Sequence, residues 1–248
     1  MKLINLIKAI IGSEAKHCTA IIVAAGSGSR MNKNGVTKQM ITLAGIPIVV
    51  RSILAFEKCK KIKDIIIVAR EDEKDIYKEF IKTYSLKKIK TVTTGGKTRQ
   101  ESVLNGFKKI SDKCDFVAIH DAARCLITPE NIEKVIDHAE RFCAATAAVP
   151  VKDTIKIADE KGFISSTPQR SRVWAAQTPQ IFDTDLYRAA AFYAIEKGFE
   201  ATDDNSLVEN LGRKVSLVDC GYENIKITTE EDLYIAENIL RNRSKADG

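Results

Sequence analysis

Apolar strand-like runs alternate with amphipathic helix-like stretches along nearly the whole chain, and no other feature narrows the fold as far. The first run, Ala20-Ile21-Ile22-Val23, is apolar throughout, as a strand buried on both faces must be. Helical spacing follows at 48–58, with Pro47 at the first turn. Strand patterns at 64–69, 89–93, 115–120 and 145–149 then alternate with helical patterns at 71–84, 98–110 and 129–142. This order predicts an α/β fold, a mostly parallel sheet with helices on both faces. Ligands of such sheets sit at the carboxyl ends of the strands.

The alternation breaks over 152–180. Thr154, Ile155, Lys156 and Ile157 alternate, a turn follows at 159–162, and polar residues lead to Pro168. The stretch reads as a hairpin arm projecting from the sheet edge, a device that reaches a second subunit. Beyond it come helical patterns at 184–197 and 203–211, a strand at 214–218, the strand-like Ile225-Lys226-Ile227 and a last helix at 229–242. No internal repeat or linker appears, so residues 18–248 read as one domain.

Residues 1–17 form a separate extension. Leu3, Ile4, Leu6, Ile7, Ile10 and Ile11 recur at helical spacing, interrupted by Lys2 and Lys8. The run is too short to span a membrane and too broken for a signal peptide. It reads as an amphipathic helix on the body or on a partner subunit, with weak membrane-surface contact as the alternative.

The chain has 248 residues and a net charge of +6, with 39 basic and 33 acidic side chains. Few aromatics lie among the basic residues, so a nucleic-acid surface is discounted in favour of a small anionic substrate. Six cysteines occur without a CxxC pair and only three histidines are present, which argues against zinc. Cysteines in or beside apolar strands suit buried thiols in a reducing cytoplasm.

The residues that carry chemistry cluster at strand ends. Ala24-Ala25-Gly26-Ser27-Gly28-Ser29-Arg30-Met31 follows the first strand, with Lys38 nearby. Such a turn presents backbone N–H groups to phosphate oxygens, and Arg30 and Lys38 add fixed positive charge. The loop lacks the Gly-Lys-Ser/Thr ending of a P-loop, and Met31 replaces the third glycine of a dinucleotide fingerprint. A second loop, Gly95-Gly96-Lys97-Thr98-Arg99-Gln100-Glu101-Ser102, opens a helix. Arg99 and Ser102 share one face there, fit either to read a nucleotide or to serve as a solvated arginine and a cap.

His120-Asp121-Ala122-Ala123-Arg124 ends another strand. Asp121 is placed for a ribose hydroxyl or a magnesium ion, and Arg124 for phosphate or for pairing with Asp121. Transfer between phosphates needs little proton chemistry, so His120 reads as a packing residue. Three weaker segments complete the set. They are Val151-Lys152-Asp153-Thr154 with Arg170 and Gln177-Thr178-Pro179-Gln180, then Ala201-Thr202-Asp203-Asp204, then Asn224-Ile225-Lys226-Ile227-Thr228.

In this order and spacing, over 19–242, these six segments resemble the 2-C-methyl-D-erythritol 4-phosphate cytidylyltransferases. The resemblance implies a Rossmann-like body, a homodimer built through the arm, and transfer of CTP to a polyol phosphate with release of pyrophosphate. It implies that Ala24, Ala25, Gly26, Ser27 and Gly28 hold the nucleotide. Gly96, Arg99 and Ser102 would meet the cytosine, while Asp121 and Ala122 lie by the ribose. Arg30, Lys38 and Lys226 would be catalytic, and Mg2+ or another divalent cation would sit near Asp121, held mainly by the CTP phosphates. Arg124, Thr154, Arg170 and Thr178 would grip the polyol phosphate, Arg170 from the partner's arm. Two alternatives stay open: a ribitol 5-phosphate cytidylyltransferase, and a CTP-binding protein without turnover. Thr37 and Cys125 stand where the family usually has proline, and each is expected to loosen a loop beside a charged residue.

Overall fold

The computed structural model describes residues 16–26 and 37–246. All but the last two residues of the extension, and Ser27, Gly28 and Arg30 of the glycine-rich loop, lie outside the described residues. Strand β1 (Cys18–Val23) leads to a small hairpin, β2 (Thr42–Leu43) and β3 (Ile46–Pro47), then to helix α1 (Ile48–Lys58) and β4 (Ile62–Ala69). Next come α2 (Lys74–Thr83), β5 (Ile89–Thr94), α3 (Arg99–Phe107), β6 (Phe116–Asp121), α4 (Pro129–Phe142) and β7 (Ala144–Pro150). The arm carries β8 (Ile157–Ala158) and β9 (Ile164–Ser166). The chain closes with β10 (Trp174–Asp183), α5 (Thr184–Lys197), α6 (Asp204–Asn210), β11 (Ser216–Asp219) and α7 (Glu230–Ala246).

Seven strands form one sheet in the order β11-β7-β10-β6-β1-β4-β5. All neighbours run parallel except β10, which is antiparallel to both β6 and β7. From β1 the chain builds outward to β4 and β5, then returns to lay β6 on the other side of β1. This reversal opens a crevice beyond the carboxyl ends of β1 and β6, the usual ligand position in doubly wound sheets.

Side chains alternate between two apolar layers. Ala20 and Ile22 of β1 face Val49, Ile53 and Phe56 of α1 and Ile132, Val135 and Ile136 of α4. Ile21 faces the other way, against Val103 and Phe107 of α3, Tyr187 and Ala190 of α5, and Leu207 and Val208 of α6. Each fully buried Val, Leu, Ile or Phe among them contributes about 1.5–3 kcal/mol, which drives the helices onto both faces. Gly106 lets α3 lie close, because a Cβ there would meet Ile21 Cγ2 at 2.7 Å and Val68 Cγ2 at 2.8 Å.

Caps set the helix ends. Thr128 accepts from the Asn131 N–H ahead of Pro129, and Asp183 accepts from the N–H groups of Asp185 and Leu186. Gly198 then ends α5 in the left-handed region at φ 62°. Among the described residues, no helix is long and apolar enough to cross a membrane.

Three sequence expectations need correction. The arm ends near 173, because Trp174–Asp183 is strand β10, buried in the middle of the sheet. The arm therefore joins two neighbouring inner strands, β7 and β10, and does not leave from a sheet edge. Residues 225–227 join no sheet; the segment is held through the Ile227 N–H donating to the Ala123 carbonyl. The β2–β3 hairpin was not anticipated: Ala44 and Gly45 both take positive φ, 45° and 77°, and its signal is Ala-Gly where Asn-Gly is usual.

Candidate active site

A cleft of about 410 Å³ opens at the carboxyl ends of β1, β5 and β6. Ala25 and Gly26 form one wall, and Gly96 with the start of α3 another. Among the described residues, its lining holds Lys38, Lys97, Arg99 and Lys226 against a single carboxylate, Asp121. Four cations around one anion suit a ligand with several negative charges.

The wall at α3 is built by its own first turn. Thr98 caps the helix by accepting from the Glu101 N–H at 3.1 Å, and Glu101 returns to accept from the Lys97 N–H at 2.7 Å. The Ser102 hydroxyl donates to the Thr98 carbonyl at 2.9 Å and accepts from the Gly96 N–H at 3.0 Å. Glycine is required at 95 by close approach, since a Cβ there would stand 2.3 Å from the Ala25 Cβ. Ser102 thus spends its proton on the loop and keeps one lone pair for a ligand.

Arg99 does not extend into solvent. Its guanidinium bridges Asp121 Oδ1 at 3.3 Å and Asp204 Oδ2 at 2.7 Å. Asp204 is 1% exposed and also accepts from the Tyr187 hydroxyl at 2.7 Å. The other Asp121 oxygen accepts from Lys226 Nζ at 2.7 Å. Burial works against charge on Asp121, but Arg99 and Lys226 outweigh it and hold the carboxyl well below the usual carboxylate range. Asp121 is therefore an anion at every physiological pH.

The segment bearing Lys226 is tied down at both ends. The buried Asn224 side chain donates to Gln177 Oε1 at 2.8 Å and to the Thr178 carbonyl at 3.0 Å. Lys38 Nζ donates to the Ile227 carbonyl at 3.3 Å, which brings the two lysines' segments together. Gln39, 3% exposed, donates to the Gly26 carbonyl at 2.9 Å and fixes the exit of β1.

His120 is fully buried, and its bonds fix its tautomer. The Arg124 carbonyl only accepts, so the ring proton sits on Nε2, 3.2 Å away. Nδ1 then accepts from the Thr178 hydroxyl at 3.0 Å, and Thr178 Oγ1 accepts from the Asp121 N–H at 3.1 Å. Burial pushes the imidazole down to about 3, which keeps it neutral. His120 stands behind Asp121 as a brace.

The cleft gathers Ala25, Gly26, Lys38, Gly96, Arg99, Ser102, Asp121 and Lys226, all expected from the sequence. Ala24 and Ala122 are buried beside it, with 0% and 1% exposure. Four other expected residues do not line the cleft. The Thr178 hydroxyl is consumed by His120 and Asp121 and is 4% exposed. Arg124 forms no ion pair with Asp121; it donates to the carbonyls of Asn224 at 3.0 Å and Ala176 at 3.4 Å. Thr154 and Arg170 lie exposed at the base of the arm, where Arg170 donates to the Lys152 carbonyl at 3.3 Å.

Sequence reasoning missed Gln39 and assigned no role to Lys97 or Asp204, although both stand in segments singled out above. Lys97 carried a signal, since it follows the double glycine directly. The pairing of Asp204 with Arg99 carried none, because the two are 105 residues apart. Among the described residues, no group of three or more His, Cys, Asp or Glu side chains is placed to hold a metal.

The model of the family "IspD: 2-C-methyl-D-erythritol 4-phosphate cytidylyltransferase" matches residues 18–242. The chain belongs to this family. A 2-C-methyl-D-erythritol 4-phosphate cytidylyltransferase from Caldanaerobacter subterraneus is 48% identical over 227 residues, 91% of this chain and 99% of that protein. One from Shouchella clausii is 45% identical over 224 residues, covering 90% and 96% of the two chains. The crystal structure of a 4-diphosphocytidyl-2C-methyl-D-erythritol synthase from Anaerococcus prevotii superposes with a TM-score of 0.83 at 33% identity, over 92% of this chain and all of that one. In this IspD chain the position usually held by proline before the lysine is not loose. Thr37 is 6% exposed and its hydroxyl donates to Glu73. Cys125 is 5% exposed in the small apolar cluster with Leu43, Ile48 and Ile227, and burial pushes its thiol up to about 12.

Proposed function

We propose that this chain joins CTP to 2-C-methyl-D-erythritol 4-phosphate, giving 4-diphosphocytidyl-2-C-methyl-D-erythritol and pyrophosphate. The observation that carries this reading is the cleft of Lys38, Lys97, Arg99 and Lys226 around Asp121, in a chain of the IspD family. A substrate phosphate oxygen attacks the α-phosphorus of CTP in line, the bond to the β-phosphate oxygen breaks, and pyrophosphate leaves. No covalent enzyme intermediate forms.

Two unit anions 4 Å apart repel by about 4 kcal/mol at an effective dielectric of about 20. Lys38 and Lys226 offset that repulsion and follow the charge into the transition state, with Arg30 carried over from the resemblance. Ala25, Gly26, Gly96 and the α3 turn receive the nucleotide, with Ser27 and Gly28 of the same loop. A divalent cation, Mg2+ by its habit of binding one carboxylate and several phosphate oxygens, fits here, because Asp121 is ionised and lines the cleft. When bound, it would neutralise phosphate charge.

The exposed arm supports a homodimer in which Thr154 and Arg170 of one protomer complete the other's polyol site. Six free cysteines, five of them buried, suit a reducing cytoplasm. The test is pyrophosphate release with CTP, Mg2+ and either 2-C-methyl-D-erythritol 4-phosphate or ribitol 5-phosphate. Release with the first alone is expected. Release with ribitol 5-phosphate alone would move the function to that polyol, and silence with both would leave a CTP-binding protein.

A further inference from the structure

We propose that the buried hydrogen bond between Thr37 and Glu73 positions Lys38, so that Thr37 and Glu73 are positioning residues for the transfer. The inference rests on the role given to Lys38 above. Thr37 occupies the N-cap position of the short turn Lys38–Met40. A threonine there ordinarily accepts from a backbone N–H of the turn. This one makes no such cap. Its hydroxyl instead donates to Glu73 Oε1 at 2.5 Å, across 36 residues of sequence.

Glu73 lies between β4 and α2 and is 6% exposed, as is Thr37. A carboxylate so buried needs donors. The nearest guanidinium nitrogen, Arg70 Nε, is 3.9 Å away, and among the described residues Glu73 Oε2 has no partner. The hydroxyl of Thr37 is therefore the directional contact that Glu73 keeps. Burial raises the Glu73 carboxyl and the Thr37 bond draws it back, in agreement with the geometry.

The Thr37 backbone stands at φ −70° and ψ 149°. That φ is the one a proline ring imposes covalently. Here a side-chain hydrogen bond does the same work on a residue free to rotate. The two residues that follow are Lys38 and Gln39, both on the cleft wall, and Gln39 anchors Gly26. A shift of about 1 Å in a charged group at a reacting centre can cost about a hundredfold in rate.

The experiment measures kcat and KM for CTP, with thermal melting and folded fraction, in five variants. These are Thr37→Val, Thr37→Ser, Glu73→Leu, Thr37→Pro/Glu73→Leu and Lys38→Ala. Thr37→Val and Glu73→Leu should each lower kcat per folded molecule about tenfold, the worth of one hydrogen bond to a charged group, with KM for CTP within about twofold. Thr37→Ser keeps the hydroxyl and should recover most of kcat. Thr37→Pro/Glu73→Leu restores the backbone restraint without the bond and should stay within about twofold of the parent. A purely structural bond would change melting and folded fraction while leaving kcat per folded molecule untouched.

Parent kcat in Thr37→Val, or Thr37→Pro/Glu73→Leu as slow as Glu73→Leu, would overturn the proposal. Should Thr37→Val fail to fold, the comparison of Glu73→Leu with Thr37→Pro/Glu73→Leu decides. Loss of turnover in Lys38→Ala beside an unimpaired Thr37→Val would sink only the positioning role. Parent turnover in Lys38→Ala would sink the role of Lys38 itself.

Discussion

Asp121 is the residue on which the charges of the cleft converge, with Arg99 at one oxygen and Lys226 at the other. Its strength as an anchor depends on Arg99 being held from behind by Asp204, a carboxylate 1% exposed. Removing one partner of a buried pair costs about 3–5 kcal/mol, because the other charge is left without compensation. Arg99→Ala should therefore lower unfolding stability by about 3 kcal/mol in a urea titration and weaken CTP binding at least tenfold. Retained stability would mean that Asp204 does not depend on Arg99. These charges differ in how far the sequence reveals them. Asp121 stands out as an ionised group at the end of an apolar strand, Arg99 as a cation in the first turn after a double glycine, and Lys226 as a cation between two isoleucines. Asp204 looks like part of a helix cap, and its neighbour Asp203 is indeed the cap, accepting from the Ser206 N–H at 3.0 Å. Only the fold turns one acid to the cap and the next to Arg99.

The helix α3 carries Arg99 and Ser102, and its distance from the sheet is set by Gly106. A valine at 106 would drive its Cβ into Ile21 and Val68, both fully buried. Overpacking of this kind costs about 1–3 kcal/mol. Gly106→Val should lower the melting temperature and raise the KM for CTP together, since lifting α3 moves the loop at 95–98. An unchanged KM would show that the loop is held independently of the helix. Three helices were legible to the residue: α1, which follows Pro47, and the capped α4 and α5 have the predicted ends. β10 was not legible, because Gln177, Thr178 and Gln180 look like a polar loop. They are buried, 5%, 4% and 2% exposed, and their side chains bond to Asn224, His120 and Asp203. A polar strand can run through the centre of a sheet when each polar group finds a partner distant in sequence, and a reading of local pattern cannot see those partners.

At the scale of the molecule, acid and the arm offer two tests. His120 binds its proton at about 3 in the folded protein and near 6.5 when unfolded. Between those values the unfolded chain holds more protons, so stability is full above about pH 6.5 and falls as pH drops toward 3. The melting temperature should decline between pH 7 and pH 5, before Asp121 titrates, and His120→Gln should flatten that decline. An equal slope in both would remove His120 as its source. The arm exposes Phe163 at 69% and Ile164 at 64%, side chains that gain by meeting a partner. Under the homodimer reading, Phe163→Asp/Ile164→Asp should sediment as a monomer, keep CTP binding, and lose turnover with the polyol phosphate. A dimer of unchanged activity would contradict that reading.

On the proposed reading the cation-lined cleft performs the transfer and does not merely hold CTP. The measurement that tests it most directly is pyrophosphate release by Lys38→Ala beside the parent enzyme, with CTP affinity measured on both. Release should fall by at least about a hundredfold, the usual loss when a charge-stabilising group is removed, while CTP affinity changes only a few-fold. Pyrophosphate release at the parent rate would contradict the account.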